Sequence, residues 1–123
     1  MISVELALRL RTAGLPWTPA PGDRFVVAHR DMDAEVFVVS ELTVEVRGSA
    51  FHFNGTTEWA LDSIEQDDVV WLPHEGQLRS SLGAAFRRLE PVGDGWAVTT
   101  ADGGRHVDVD AERAYARAVL ATL

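Results

Sequence analysis

Between residues 24 and 54 the sequence repeats one pattern, in which a short segment rich in Val, Phe and Thr is followed by turn-forming residues. β-Branched and aromatic side chains fit the pleated surface of a strand, so the pattern predicts an antiparallel meander. In the third segment Leu42, Val44 and Val46 alternate with polar residues, which predicts one buried face and one wet face. The second segment is apolar on both faces, which predicts a central or doubly covered strand. The predicted strands are 24–29, 35–40, 42–47 and 50–54, with a hairpin turn at Gly48-Ser49.

The rest of the chain shows helical periodicity and two further strand signals. Gly14 is predicted to end the first helix, and Asp110 to cap the last. A short apolar run at 69–73 is predicted to be a strand or a buried extended segment. The predicted helices are 3–13, 57–65, 75–90 and 111–122, and the predicted C-terminal hairpin strands are 95–101 and 105–110. The hairpin residues predicted to face the core are Trp96, Val98, Val107 and Val109.

Together these elements predict an α+β fold. It consists of an antiparallel sheet, a meander plus a C-terminal hairpin, with three or four helices packed on it. The length of 123 residues suits one domain spanning 1–123. No linker, internal repeat or low-complexity segment divides the chain.

Two missing residue types exclude several kinds of chemistry. The chain has no cysteine, which excludes thiol nucleophiles, disulfides, thiolate zinc sites and iron–sulfur clusters. All 11 basic residues are arginine, and the lack of lysine excludes a P-loop, Schiff-base chemistry and a lysine general base. We therefore expect no cofactor, and enzymatic activity is disfavoured.

The charge and the apolar pattern bear on partners and location. The formal net charge of −8 repels phosphate backbones and anionic lipid surfaces, so nucleic-acid and membrane partners are not expected. No apolar run reaches the roughly 18 residues that a transmembrane helix requires. Glu5 and Arg9 interrupt the first apolar stretch, and no basic region precedes it, which is unlike a signal peptide. These features predict a cytoplasmic protein.

The segment 29–33, with the sequence HRDMD, is the first candidate site. His29, Asp31 and Asp33 carry metal-ligating atoms, and an Asp-x-Asp pair can hold Mg²⁺ or Mn²⁺. The segment is also predicted to connect two strands, where Asp is common for its turn-forming chemistry. A turn is the favoured interpretation, and a divalent-metal site is the alternative.

The stretch 51–64, FHFNGTTEWALDSI, combines a turn signal with amide, hydroxyl, carboxylate and tryptophan side chains. Asn-Gly turns the chain and Thr56 or Thr57 caps the following helix, so structural punctuation explains most of the pattern. His52 is predicted on the wet face of its strand near Glu58, where the pair has the chemistry for acid–base work. The predicted binding residues of this polar corner are His52, Asn54, Thr56, Glu58 and Trp59.

The chain has four tryptophans, which is many for its length. Tryptophan is enriched in interface hot spots because it buries a large area and keeps one hydrogen-bond donor. Trp71 and Trp96 are predicted in the core, and Trp17, in the proline-rich connector 16–23, is predicted to fold back on the core. Trp59, beside the polar corner, is predicted to be partly exposed.

Three stretches carry a resemblance to a family, namely EVFVVSELTVEV at 35–46, FNGTTEWALDS at 53–63 and WLPHEGQLRSSLG at 71–83. The chain resembles, nearly end to end, an uncharacterised family of small acidic proteins from high-GC Gram-positive bacteria. Members of that family often carry an automated pilus-assembly label. A pilus-assembly ATPase needs the lysine of a P-loop, so the resemblance implies no ATPase here and transfers no catalytic residues.

These observations lead to three hypotheses. The first is a non-enzymatic protein-interaction or binding domain with an unidentified protein partner, because no catalytic set converges and the polar corner carries a tryptophan. The alternative is a small-ligand or divalent-metal binding protein with hydrolytic activity, at His52 and Glu58 or at the acids of 29–33. The third is a homodimer formed through a sheet edge or a helix face.

Overall fold

A computed structural model describes residues 1–27, 36–39, 44–47, 50–53, 63–65 and 69–123, and in the strands at 44–47, 50–53 and 63–65 it describes the backbone. The described chain is α+β, with three α-helices and three antiparallel sheets of three strands each, so the predicted class is confirmed. It divides into two compact units, Met1–Pro16 with Pro73–Leu123 and Trp17–Leu72. The single domain predicted for 1–123 stays a prediction.

The described helices and strands follow one another along the chain with bounds close to most of the predicted ones. In order they are α1 (Val4–Thr12), β1 (Arg24–Val27), β2 (Phe37–Val38), β3 (Val44–Arg47), β4 (Ala50–Phe53), β5 (Ser63–Glu65), β6 (Val69–Leu72), α2 (Glu75–Leu82), β7 (Phe86–Val92), β8 (Gly95–Thr100), β9 (Arg105–Asp108) and α3 (Ala111–Thr122). One 3₁₀ turn, Gly83–Ala85, connects α2 to β7.

Capping residues set the ends of α1 and α3 in the first unit. Ser3 accepts a hydrogen bond from the amide of Leu6 at 3.1 Å, and Asp110 accepts one from the amide of Arg113 at 3.2 Å. Gly14, with a φ of 106°, follows the end of α1, because glycine adopts this left-handed conformation without a steric penalty. The predicted stop and the predicted cap are both confirmed.

The core of the first unit surrounds α3, which contacts α1, α2, β8 and β9. Within α3, Ala114, Tyr115 and Ala118 are buried, whereas Thr122 at its end is exposed. β7, β8 and β9 pair antiparallel in that order. Residues paired in this way project from the same face of a sheet, so the register divides the residues of these strands between its two faces.

The helix predicted for 75–90 is correct over α2 and wrong over β7. Gly83 has a φ of 52°, which interrupts the helical hydrogen bonding and ends α2. Phe86 and Leu89 are three residues apart, which fits a helical stripe, and a regular strand would place them on opposite faces. The register shift between Phe86 and Arg88 brings both to one face of the sheet. Pro91 opposes a helix, and pairing with β8 at every residue of β7 except Arg87 stabilises the strand.

In the second unit, β1 lies between β2 and β6, and β4 lies between β3 and β5. A core cluster forms on the first of these sheets, against which Trp17 and Phe37 pack. The buried members of that cluster are Phe25, Val27, Val39 and Val69. Arg47 and Ala50 are paired across β3 and β4, the register that the predicted two-residue connection requires. The strands predicted from 24, 42, 50 and 69 onward are confirmed over the described residues.

Two predictions for the second unit are wrong. The prediction of a central strand at 35–40 fails, because in the described sheet β2 is an edge strand and Val38 is 60% exposed. The helix predicted for 57–65 is wrong at its end, where β5 pairs with β4 and Ile64 lies opposite Phe51 in the register. A helix of nine residues is marginal without tertiary support, whereas the neighbouring strand supplies backbone hydrogen bonds. The rest of that predicted helix lies outside the described residues.

Candidate interaction surface

The polar corner predicted from 51–64 lies largely outside the described residues. The structure gives the backbone of His52 in β4, opposite Glu45 on one side and Ser63 on the other. The other predicted binding and metal-ligating residues, which fall outside the described ranges, are Asn54, Thr56, Glu58, Trp59, His29, Asp31 and Asp33. Both predicted sites therefore stay predictions.

One face of the β7–β8–β9 sheet, which we call the covered face, lies against α3. The ring of Tyr115 stacks on Phe86 with the ring centroids 5.7 Å apart. Arg113 and Arg117 each donate a hydrogen bond from Nε to the carboxylate of Asp108, at 2.9 Å. The helix is thus held to the sheet by an aromatic stack and by one carboxylate shared between two guanidinium groups.

The electrostatics of Asp108 suit an anchor rather than a proton donor. Burial raises the pKa of its carboxyl, since the side chain is only 10% exposed. Hydrogen bonds from the Asp110 amide and the Arg117 guanidinium, together with the charge of Arg113, outweigh that effect and hold the pKa below its ordinary value. The carboxylate consequently stays ionised at neutral pH.

The opposite face of the same sheet, which we call the open face, is a grid of three rows across the strands. The rows are Val92 and Gly95 with Val109, which lies against Gly95 just beyond the end of β9, then Glu90, Ala97 and Val107, then Arg88, Thr99 and Arg105. Val107 is 49% exposed and Val109 is 68% exposed. Ala97 is fully buried, so Val107 and Val109 supply the large exposed apolar side chains of the open face.

The hairpin residues predicted to face the core are divided by this arrangement. Val98 is fully buried on the covered face, as predicted. The prediction for Val107 and Val109 is wrong, because they alternate with Asp108, whose side chain binds the helix. Trp96 shares the face of Val98 but lies in its outermost row, where the residue is 38% exposed, so its predicted place in the core is also wrong.

The other end of the open face is charged. The carboxylate of Glu90 accepts a hydrogen bond from Nε of Arg88 at 3.3 Å and lies 3.9 Å from a terminal guanidinium nitrogen of Arg105. Both arginine side chains are more than half exposed. Thr99 occupies the register position between them, and its buried hydroxyl has no hydrogen-bond partner in the part of the chain that the structure describes.

The loop between β8 and β9 brings together a hydroxyl, a carboxylate and an imidazole that sequence reasoning did not connect. The hydroxyl of Thr100 donates to Asp102 at 2.6 Å, and the amide of Gly104 donates to the same oxygen at 2.9 Å. A Cβ on Gly104 would lie 3.1 Å from Nε2 of His106. In a nucleophilic triad the imidazole accepts the hydroxyl proton, whereas here the carboxylate does. The cluster therefore stabilises the turn.

Two other features of the described residues are packing features rather than ligand sites. Trp17 stacks on Trp71 with centroids 5.9 Å apart and rings 5° from parallel, so its predicted return to the core is confirmed. Nε1 of Trp17 donates to the buried Asp23 at 2.8 Å. Trp71, predicted in the core, is partly buried. The two rings contact each other directly and leave no space for a planar ligand between them.

A groove of about 460 Å³ lies between α1 and α3. Its lining residues are Glu5, Leu8, Arg9, Thr12, Ala13 and Leu120. Small-molecule sites enclose the ligand and converge a few polar groups on it, which this shallow and mainly apolar groove does not do. Among the described residues, no group of three or more His, Cys, Asp or Glu side chains is arranged to hold a metal ion.

Comparison with known proteins identifies no relative of this chain. No family model, no curated protein and no solved structure matches the chain. The resemblance to the family of small acidic proteins stays a prediction. Within the described ranges, no helix has both the length and the apolar character needed to cross a membrane.

Proposed function

We propose that this protein is a non-enzymatic interaction domain that binds a protein partner through the open face. The observation that carries the proposal is the exposure of Val107 and Val109, at 49% and 68%, on a sheet face opposite the one that α3 covers. Contiguous exposed apolar residues bordered by polar ones mark interaction sites more often than ordinary surface. The arginines at the other end of the face form such a border.

The shape of the open face supports the same proposal. A Cβ added to Gly95 would lie 2.5 Å from the carbonyl oxygen of Asp108, so the backbone of β9 excludes a side chain at this position. Ala97, in the next row, is fully buried. The floor of the apolar end is therefore closed, and a partner would contact the exposed side chains of Val107 and Val109 that project from it.

The polar corner is the second proposed contact. His52, Asn54, Thr56, Glu58 and Trp59 combine hydrogen-bonding groups with a tryptophan, the residue type that dominates interface hot spots. The net charge of −8 favours a protein partner over nucleic acid or an anionic membrane, and we place the interaction in the cytoplasm.

The test compares three variants of the full chain as bait in a lysate of its source cells, with captured proteins quantified by mass spectrometry. Val109→Asp places a charge on the open face, and Val38→Asp is the matched control because Val38 is 60% exposed in the second unit. We expect the specific partner to be lost roughly tenfold or more with Val109→Asp, as for a hot-spot substitution, and retained with Val38→Asp.

The third variant, Trp59→Ala, separates the two proposed contacts. Loss of the partner with Trp59→Ala alone would move the interaction to the polar corner. Equal capture by the wild-type protein and all three variants would contradict the proposed function. Thermal unfolding of each variant establishes that the bait is folded.

A further inference from the structure

The dimensions of the open face restrict what can cover it. Neighbouring strands lie about 4.8 Å apart and successive rows about 6.8 Å apart, so the grid spans roughly 10 by 14 Å between its outermost Cα positions. Even with side chains included, its area is on the order of 300 Å², far below the roughly 800 Å² that each partner contributes to a stable interface between folded proteins. The face fits one short extended segment better than a second copy of the chain.

The charges of the open face give that segment a polarity. Arg88 and Arg105 share the single carboxylate of Glu90, which leaves one positive charge in excess at this end. The other end carries Val92 and Val109 and no positive charge, with the acidic Asp94 in the turn beside it and Val107 in the middle row opposite Glu90. At about 0.15 M salt the Debye length is about 8 Å, so a carboxylate held at the arginines interacts with them while the chain's overall negative charge is largely screened.

The spacing of the rows translates into a sequence pattern for the segment. Side chains at positions i, i+2 and i+4 of an extended segment project to one side, about 6.8 Å apart. We propose that the open face binds an extended segment of a partner protein that presents apolar residues at i and i+2 and an aspartate or glutamate at i+4. The apolar pair covers the valine rows, and the carboxylate meets Arg88 and Arg105. This inference rests on the proposed function, because it names the partner class of the same face.

A peptide selection tests the pattern without assuming a partner. A library of random dodecapeptides displayed on phage is selected on the immobilised full chain, after depletion on the Val109→Asp variant. We expect enrichment of peptides with the apolar-x-apolar-x-acidic spacing. Enrichment of basic or uncharged motifs, or no enrichment over the depleted library, would overturn the inference.

Three further variants, one of them a control, examine the arginine end with a selected peptide. Arg105→Gln should weaken peptide binding about two- to fivefold, the range of an exposed ion pair, while Arg9→Gln, an equal change of charge on α1, should leave it unchanged. Glu90→Gln should strengthen binding by a similar factor, because it removes the internal carboxylate that competes for the two arginines. A merely structural role of Glu90 predicts weaker binding instead, so that result would also overturn the inference.

The outcomes separate this inference from the proposed function. If Val109→Asp abolishes partner capture from the lysate while the selected peptides lack the acidic residue, the interaction domain stands and the carboxylate assignment fails. If light scattering shows a dimer that Val109→Asp dissociates, the occupant of the open face is a second copy of this chain, and the peptide assignment is wrong.

Discussion

The covered and open faces of the β7–β8–β9 sheet contain similar residue types with different environments. Val98 on the covered face is fully buried, whereas Val107, in the adjacent row of the neighbouring strand, is 49% exposed. The difference is α3, which lies against Phe86 and Asp108 on one side only. Apolar side chains on a strand favour burial, but the position of the packed helix determines which face of the sheet is buried.

The largest expected effect contrasts one side chain from each environment. Tyr115→Ala removes a buried ring that stacks on Phe86, and we expect it to lower the free energy of unfolding by about 3–5 kcal/mol. Val107→Ala on the open face should change it by about 0.5 kcal/mol or less. Urea denaturation of both variants measures the contrast. Similar losses for the two would mean that the open face is packed in solution.

A smaller effect concerns the anchor of the covered face and depends on pH. Asp108→Asn should lower the free energy of unfolding at pH 7 by about 1–2 kcal/mol, because two charge-assisted hydrogen bonds from Arg113 and Arg117 are weakened. The folded-state pKa of Asp108 lies below the unfolded value of about 3.9. Its ionised form therefore stabilises the protein above that pH, and the contribution is lost as the pH falls through the folded-state pKa.

The pH dependence is measured by unfolding wild type and Asp108→Asn in parallel from pH 7 to pH 2. The difference in free energy of unfolding between wild type and Asp108→Asn should be constant above about pH 5 and should become smaller below about pH 4. A difference that persists unchanged to the lowest pH would show that the carboxylate's charge does not hold α3 to the sheet.

The smallest effects come from two adjacent threonines on opposite faces. Thr100→Val removes the hydroxyl that donates to Asp102 at 2.6 Å and should cost about 1 kcal/mol. Thr99→Val removes a buried hydroxyl with no partner in the described part of the chain, and should be neutral or stabilise by up to about 1 kcal/mol. Differential scanning calorimetry resolves both shifts. A loss with Thr99→Val would reveal a hydrogen bond on the open face.

Elements with local signals were predictable from the sequence. Ser3, Gly14 and Asp110 act through hydrogen bonds and backbone angles within a few residues, and α1 and α3 lie where periodicity predicts them. β7 was not predictable in the same way, because the spacing of Phe86 and Leu89 is helical and only the register shift between Phe86 and Arg88 places both on one face of a strand. Pairing with β8, a contact between two segments of the chain, stabilises the strand rather than a helix at these residues.

The candidate surface was predictable only in part. The alternation of Val107 and Val109 with Asp108 correctly separates two faces, but nothing in the alternation says which face a helix covers. The sequence did not predict the loop cluster of Thr100, Asp102 and His106, because a tight turn in the folded chain brings these residues together. The polar corner around Trp59 stays a prediction that the Trp59→Ala variant tests.

By itself the sequence determined the α+β class, the capped terminal helices, the alternating strands and the absence of thiol and lysine chemistry, since each follows from residue types and spacings along the chain. Only the tertiary structure decided that Val98 is core and Val107 is surface. Burial of a strand residue depends on the element that packs above it, and for this sheet that element, α3, is held in place by Asp108 and by the ring of Phe86.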